Sequence, residues 1–417
     1  MIDYNINMNF FEKIQIKSIK KRYIYYFLFA FCFLIFFYQL DLVKLYMYDE
    51  FHYVPAAKSW VQMNTALNLE HPPFAKYLIG FSIKLFGDNP LGWRMFNLVS
   101  GVLLIVVIFK ISELLFSEMI DCMFVTILSI FNFWIFLFSR IATLDIYLIL
   151  FFFASTYFYL KFKIQDKNKD YFLSAISIGL TISIKWSGVF LVFPFLILIS
   201  ISLYQKSLIK VISFWLMIIA VYYLSFIPFL FLSDSSKLSL FQILFTQPVL
   251  MYKLLNSVNG DHIYISSWFT WPLMIRPMWF CFNVNKSLHI FRGILVIGNP
   301  LIMFFGLISS FYLLLSWRKI QDELKVFLMS FFFSWLVWGI FQRKVSFIYY
   351  FFPNAVMYSF FIPAAIKFSS LYKKKKVIYF LFSLISVALF IHFYPLLIGE
   401  WVSIEHKNQW IWFRSWI

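Results

Sequence analysis

Long apolar runs recur along this chain, and they constrain its fold more than any other feature. A helix needs roughly 20 residues to cross a bilayer. Candidate spans lie near 23–43, 95–110, 119–138, 141–160, 171–184, 186–204, 211–232, 297–317, 326–342, 346–366 and 377–398. Apolar residues make up 62% of the 417 and charged residues 13%, against roughly 45–50% and 25% in soluble domains. A water-soluble fold cannot hide that much apolar surface. The expected class is an all-α polytopic membrane protein, with 1–417 as a single integral-membrane domain. A secreted domain, a DNA-binding domain and a fibrous protein are excluded.

The formal charge is +17. No basic helix or zinc-type spacing accompanies it, so nucleic acid is not the expected partner. Basic loops at the cytoplasmic face explain the excess better. Cys32, Cys122 and Cys281 are scattered and form neither a disulfide framework nor a metal cluster. The first run follows Lys13, Lys17, Lys20, Lys21 and Arg22 and lacks a small-residue cleavage site, so it reads as a retained anchor. Eleven spans with the N-terminus inside place more than half of the Lys and Arg residues on short inner segments. Merging 171–204 into one span would put Lys373 to Lys376 outside, against the positive-inside rule. Two long outer loops follow, about 44–94 and about 233–296. In the first, Phe51, Val54 and Val61 share one helical face. Phe74, Tyr77, Leu78, Phe81 and Leu85 share another, after Pro72-Pro73, so two helices lying on the membrane are expected.

Four constellations carry possible chemistry. Asp49 and Glu50 are adjacent, with His52 beyond them. Adjacent residues point apart, so the two carboxylates are not expected to flank one reacting carbon as double-displacement glycosidases require. One would act and the other support it. Alone, this pair reads equally well as a solvated loop start. Glu70, His71 and Lys76 add an acid, an imidazole and an amine around a helix start. Glu50, His52, Glu70 and His71 match no metal signature, so no cofactor and no metal are expected. Arg94, Arg140, Lys185, Arg276, Arg343 and Lys344 fall at the outer ends of spans. Some will snorkel to the interface; together they fit an anion such as a lipid-linked phosphate. Asp145 is expected to pair with a cation. Aromatic clusters at 267–280 and 410–416 read as an interfacial belt or as a surface that stacks on sugar.

In order along the chain, these motifs resemble the protein O-mannosyltransferase family, membrane enzymes of GT-C architecture. Asp49-Glu50 resembles its Asp-Glu motif, and HPPFAK at 71–76 its His-Pro-Pro-Leu-Gly-Lys segment. GWR at 92–94, SRIATLD at 139–145, IKWSG at 184–188, WPLMIRPMWF at 271–280 and WFRSWI at 412–417 resemble further family elements. Phe74 and Ala75 replace the usual Leu-Gly. The loop at 233–296 has no room for the trefoil module of eukaryotic members, so the bacterial branch is the nearer resemblance.

The resemblance implies an inverting transferase. It would move mannose from a polyprenyl-phosphate-mannose lipid to Ser or Thr of a translocating protein, with the secretion translocon as a further partner the resemblance implies. The setting implied is the bacterial cytoplasmic membrane, with the site facing outward. Asp49 would be the general base and Glu50 its support. Arg94, Arg140, Lys185, Arg276 and Arg343 would meet the phosphate. His52, His71, Lys76, Asp145, Trp186, Trp271 and Trp279 would support the acceptor or the loops. The alternatives are a GT-C transferase acting on lipid A or a cell-wall glycan, and a transporter. A transporter predicts paired repeats and mid-membrane ionisable groups, which this sequence does not display.

Overall fold

The computed structural model describes residues 22–233, 237–257, 261–341 and 343–416. The basic positions Lys13 to Lys21 and the terminal Ile417 lie outside the described residues. Helices dominate. In chain order they are α1 (Arg22–Phe37), α2 (Glu50–Val61), α3 (Phe74–Phe86), α4 (Pro90–Leu115), α5 (Met119–Ile130), α6 (Phe133–Phe138), α7 (Asp145–Gln165) and α8 (Asn168–Ile182). They continue with α9 (Ser187–Tyr204), α10 (Leu208–Leu224), α11 (Gln247–Ser257), α12 (Pro300–Leu315), α13 (Asp322–Ile340), α14 (Phe352–Phe368) and α15 (Lys375–Ile398).

Every expected span coincides with helix, although the boundaries differ. Among the described residues seven helices are long and apolar enough to cross a membrane, and α1, α5 and α12 are shorter apolar helices. The segment 171–204 is broken into α8 and α9 around Lys185. The span expected over 119–138 breaks at Phe131-Asn132, where the Asn132 side chain caps α6 by accepting from Trp134 N. The outward faces of the bundle are apolar: Ile209, Leu216, Phe380, Leu384 and Ile391 are all more than half exposed. In water such a surface would aggregate; in hydrocarbon it is the solvated face. The chain is an integral, multi-pass membrane protein.

Both long loops gather at one end of the bundle. In the first, α2 and α3 form as expected, but α3 buries Ala75, Ile79, Gly80, Ser82 and Ile83. Phe81 and Leu85 of the expected apolar face point outward. Close approach of α2 and α3 explains this, because a Cβ on Gly80 would lie 2.8 Å from Ala57 O. The second loop holds α11 and a small antiparallel sheet, an addition to the all-helical expectation. β1 (Met278–Asn285) pairs with β2 (Ile290–Val296), and β2 pairs with β3 (Trp401–Ser403) from beyond α15. The C-terminal aromatic segment docks here too. Trp416 Nε1 donates to Met274 O at 2.8 Å, and Trp279 Nε1 donates to Trp416 O at 3.1 Å.

Candidate active site

Between the loops and the bundle lies a cavity of about 850 Å³. Asp49, His52, Glu70 and His71 from the first loop line it, with Asp145, Lys185 and Trp186 from the starts of α7 and α9. Arg343, Tyr349 and Tyr350 close another wall. Apolar side chains of α9 and α13, including Phe190 and Trp338, continue it toward the membrane-facing part of the bundle.

The two adjacent carboxylates have opposite surroundings. Glu50 is fully buried. Its Oε1 accepts from Arg94 Nε and Ala142 N, each at 2.8 Å, and its Oε2 accepts from Arg94 Nη2 and Met47 N, each at 2.9 Å. A carboxylate has about four acceptor sites, and all are filled. Arg94 is equally saturated. Its remaining N–H groups reach Leu40 O, Val43 O and Leu45 O at 2.8–3.2 Å, which uses all five donors of a guanidinium. This pair pins the chain between α1 and α2 to the start of α4.

Asp49 precedes α2 and opens onto the cavity. Burial pushes its carboxyl up to about 6, and Asp145 adds to the rise, while Lys185, His52 and the Tyr53 hydroxyl pull the other way. The backbone before it is held in an unusual form, with Tyr48 at φ +42°. For a tyrosine this costs about 1–3 kcal/mol. The second loop supplies the brace. A β-bulge at Phe280 breaks the β1–β2 register, as bulges near active sites do to re-aim a side chain. The Phe280 ring stacks on Tyr48 at 4.7 Å with an interplanar angle of 9°.

Lys185 sits in the α8–α9 break, where its Nζ donates to both Asp145 oxygens at 2.9 Å. It lies 5.6 Å from the centre of the Tyr349 ring. Burial alone would lower its pKa, but Asp145 and Asp49 outweigh that and raise it, so it stays charged. Arg343 donates to Tyr350 Oη at 3.1 Å, and its buried Nε has no partner among the described residues. His71 is held well below its usual pKa by burial, with Lys185, Lys76 and Arg343 adding, so it is neutral. Trp186 Nε1 donates to Tyr222 Oη at 3.1 Å within the cavity wall.

Other expected residues stand outside the cavity lining, which corrects the phosphate role expected of Arg94, Arg140 and Arg276. Arg94 is consumed by Glu50 and carbonyls, as described. Arg140 caps the end of α1, donating to Phe36 O, Tyr38 O and Gln39 O at 2.5–2.7 Å, where helix-end carbonyls lack partners. Arg276 is exposed, bonds to Ile263 O and does not line the cavity. Lys76 is buried and bonds to the carbonyls of Asn68 and His71. Trp271 and Trp279 are buried behind the cavity, bonded to Ser266 and Trp416. Among the described residues no three His, Cys, Asp or Glu side chains gather as a metal-holding group. Sequence reasoning missed Asn68, Tyr53, Tyr349 and Tyr350; only the Tyr349-Tyr350 pair, soon after Arg343, gave a signal.

A polytopic bundle with one acid of a carboxylate pair facing a cation-bearing cavity beneath two gathered loops defines a GT-C membrane glycosyltransferase fold. Solved structures agree. The Saccharomyces cerevisiae protein O-mannosyltransferase Pmt1-Pmt2 complex, bound to its sugar donor, superposes with a TM-score of 0.82 at 12% identity, covering 95% of this chain and 93% of that one. ArnT from Cupriavidus metallidurans, bound to undecaprenyl phosphate, gives 0.54 at 15% identity, over 82% and 60%.

Family profiles carry the finer assignment. Two described as dolichyl-phosphate-mannose-protein mannosyltransferase match residues 26–93 and 70–231. One for the C-terminal four-helix membrane region of protein-O-mannosyltransferase matches 240–416. The chain belongs to the protein mannosyltransferase family. Polyprenol-phosphate-mannose–protein mannosyltransferases of Corynebacterium glutamicum and Mycolicibacterium smegmatis are each 28% identical over 179 and 178 residues. Those matches cover 34% and 36% of this chain and about a third, 34%, of each relative.

Proposed function

We propose that this chain transfers mannose from a polyprenyl-phosphate donor to a Ser or Thr hydroxyl of a translocating protein, with inversion. The acceptor hydroxyl gives its proton to Asp49. Its oxygen attacks the anomeric carbon, and the bond from that carbon to the phosphate oxygen breaks. Lys185 and Arg343 neutralise the phosphate as charge develops on it, so no general acid is needed. Arg94, Arg140 and Arg276 are not assigned to the phosphate. His52 and Trp186 flank the acceptor side. The donor tail lies along the apolar wall of α9 and α13. The site faces outward from a bacterial cytoplasmic membrane, where unfolded acceptors emerge.

The observation that carries this reading is the Asp49 carboxyl, raised to about 6, in one cavity with Lys185 and Arg343. A base works best with a pKa near operating pH. The names of the curated relatives and of the donor-bound structure support mannose and a protein acceptor. The test is transfer from radiolabelled polyprenyl-phosphate-mannose to a Ser/Thr peptide by purified protein. Labelled peptide supports the reading. Donor consumed only when host lipids are present would move the acceptor to a lipid.

A further inference from the structure

The loop 68–71 holds polar groups that the transfer step does not use. Asn68, Glu70 and His71 all line the cavity. Asn68 Oδ1 and His71 Nδ1 are buried without a hydrogen-bond partner among the described residues. Buried polar atoms are nearly always paired, so two unpaired ones in four residues call for a ligand. The loop is also built at a cost. Asn68 holds a left-handed backbone at φ +55°. Lys76, only 1% exposed, spends its charge on the Asn68 and His71 carbonyls rather than on the cavity.

We propose that Asn68, Glu70 and His71 form the subsite for the ring hydroxyls of the donor sugar, with Lys76 as the positioning residue that shapes it. This rests on the transferase reading above. The Asn68 oxygen and the Glu70 carboxylate are acceptors, which repel a phosphate and attract O–H donors. A neutral imidazole adds one nitrogen able to donate or accept. Three such groups in one short stretch suit the neighbouring hydroxyls of a hexose; a Ser or Thr acceptor has a single hydroxyl. The phosphate is left to Lys185 and Arg343, so the scissile bond falls between the two sets.

The test is binding, which requires no turnover. Purified full-length wild type, Asn68→Ala, His71→Ala and Lys76→Met are titrated with polyprenyl-phosphate-mannose and with sugar-free polyprenyl phosphate. Wild type should prefer the mannosylated lipid. Asn68→Ala and His71→Ala should each bind it about tenfold more weakly, with affinity for the sugar-free lipid unchanged. Lys76→Met should reduce the same preference, a readout that simple destabilisation would not move selectively. Equal loss for both lipids would overturn the inference, as would intact donor binding with a raised KM for peptide. Wild type without any preference would overturn it too. Selective donor binding without peptide labelling would sink only the protein-acceptor reading and leave the subsite standing.

Discussion

Two ion-paired regions sit at the same end of this molecule and differ in one respect, spare valence. Around Glu50 and Arg94 every donor and acceptor is taken, by each other and by backbone of two separate stretches, residues 40–47 and Ala142. Around Asp49, Lys185 and Asp145 the charges face a cavity. Lys185 spends its bonds on Asp145 alone, and Asp49 meets Lys185 only through charge. A saturated pair fixes a loop, and an unsaturated one can meet a substrate. Neighbours in sequence thus fall on opposite sides of the line between scaffold and chemistry.

The contrast is sharpest in turnover. Asp49→Asn should lower the rate of sugar transfer by about 10²–10⁴, measured at saturating donor. Glu50→Gln and Arg94→Met should act on the fold instead. Removing one partner of a buried pair costs about 3–5 kcal/mol, so both should lower the melting temperature in detergent by several degrees. Asp49→Asn should do the reverse. A carboxyl whose folded pKa lies above its unfolded value loses stability as pH rises between the two. Above pH 6 a neutral side chain at 49 is therefore at least as stable as the native one.

Much of the site was legible because its motifs are local. Asp49-Glu50, HPPFAK and the Lys185 stretch each mark a place where the chain enters a helix, and the fold brings these places to one cavity. Glu50 and Arg94 were not separable from the chemistry in sequence, since their bond joins positions 44 apart. Nothing in the spacing shows that Ala142 N and Met47 N fill the other lone pairs. The cations at span ends all look alike; only the folded carbonyls of α1 reveal that Arg140 is a cap. The sheet was missed because the aromatic start of β1 reads as part of the interfacial belt, and β3 is a strand of three residues from the far end of the chain.

Smaller effects refine the comparison. Activity should fall about tenfold per pH unit below about 6, because Asp49 must be ionised to accept a proton and burial raises it to about 6. An ordinary aspartate would place that limb near 4. Rates measured across pH 4.5–8 decide this. Arg343→Gln should weaken donor affinity about ten- to a hundredfold, as loss of a charge-assisted contact does, read by donor titration. Arg276→Gln should stay within about twofold of wild type in the same titration, since its charge is exposed and outside the cavity.

The most direct measurement is the single-turnover rate of mannose transfer to a Ser/Thr peptide, taken with the melting temperature of the same samples, for wild type, Asp49→Asn and Glu50→Gln. The expected result is a collapse in rate with an intact fold for Asp49→Asn, and a lowered melting temperature for Glu50→Gln. Wild-type rate in Asp49→Asn would remove the base from the mechanism. A fully stable Glu50→Gln that had lost only its chemistry would reverse the roles of the two carboxylates.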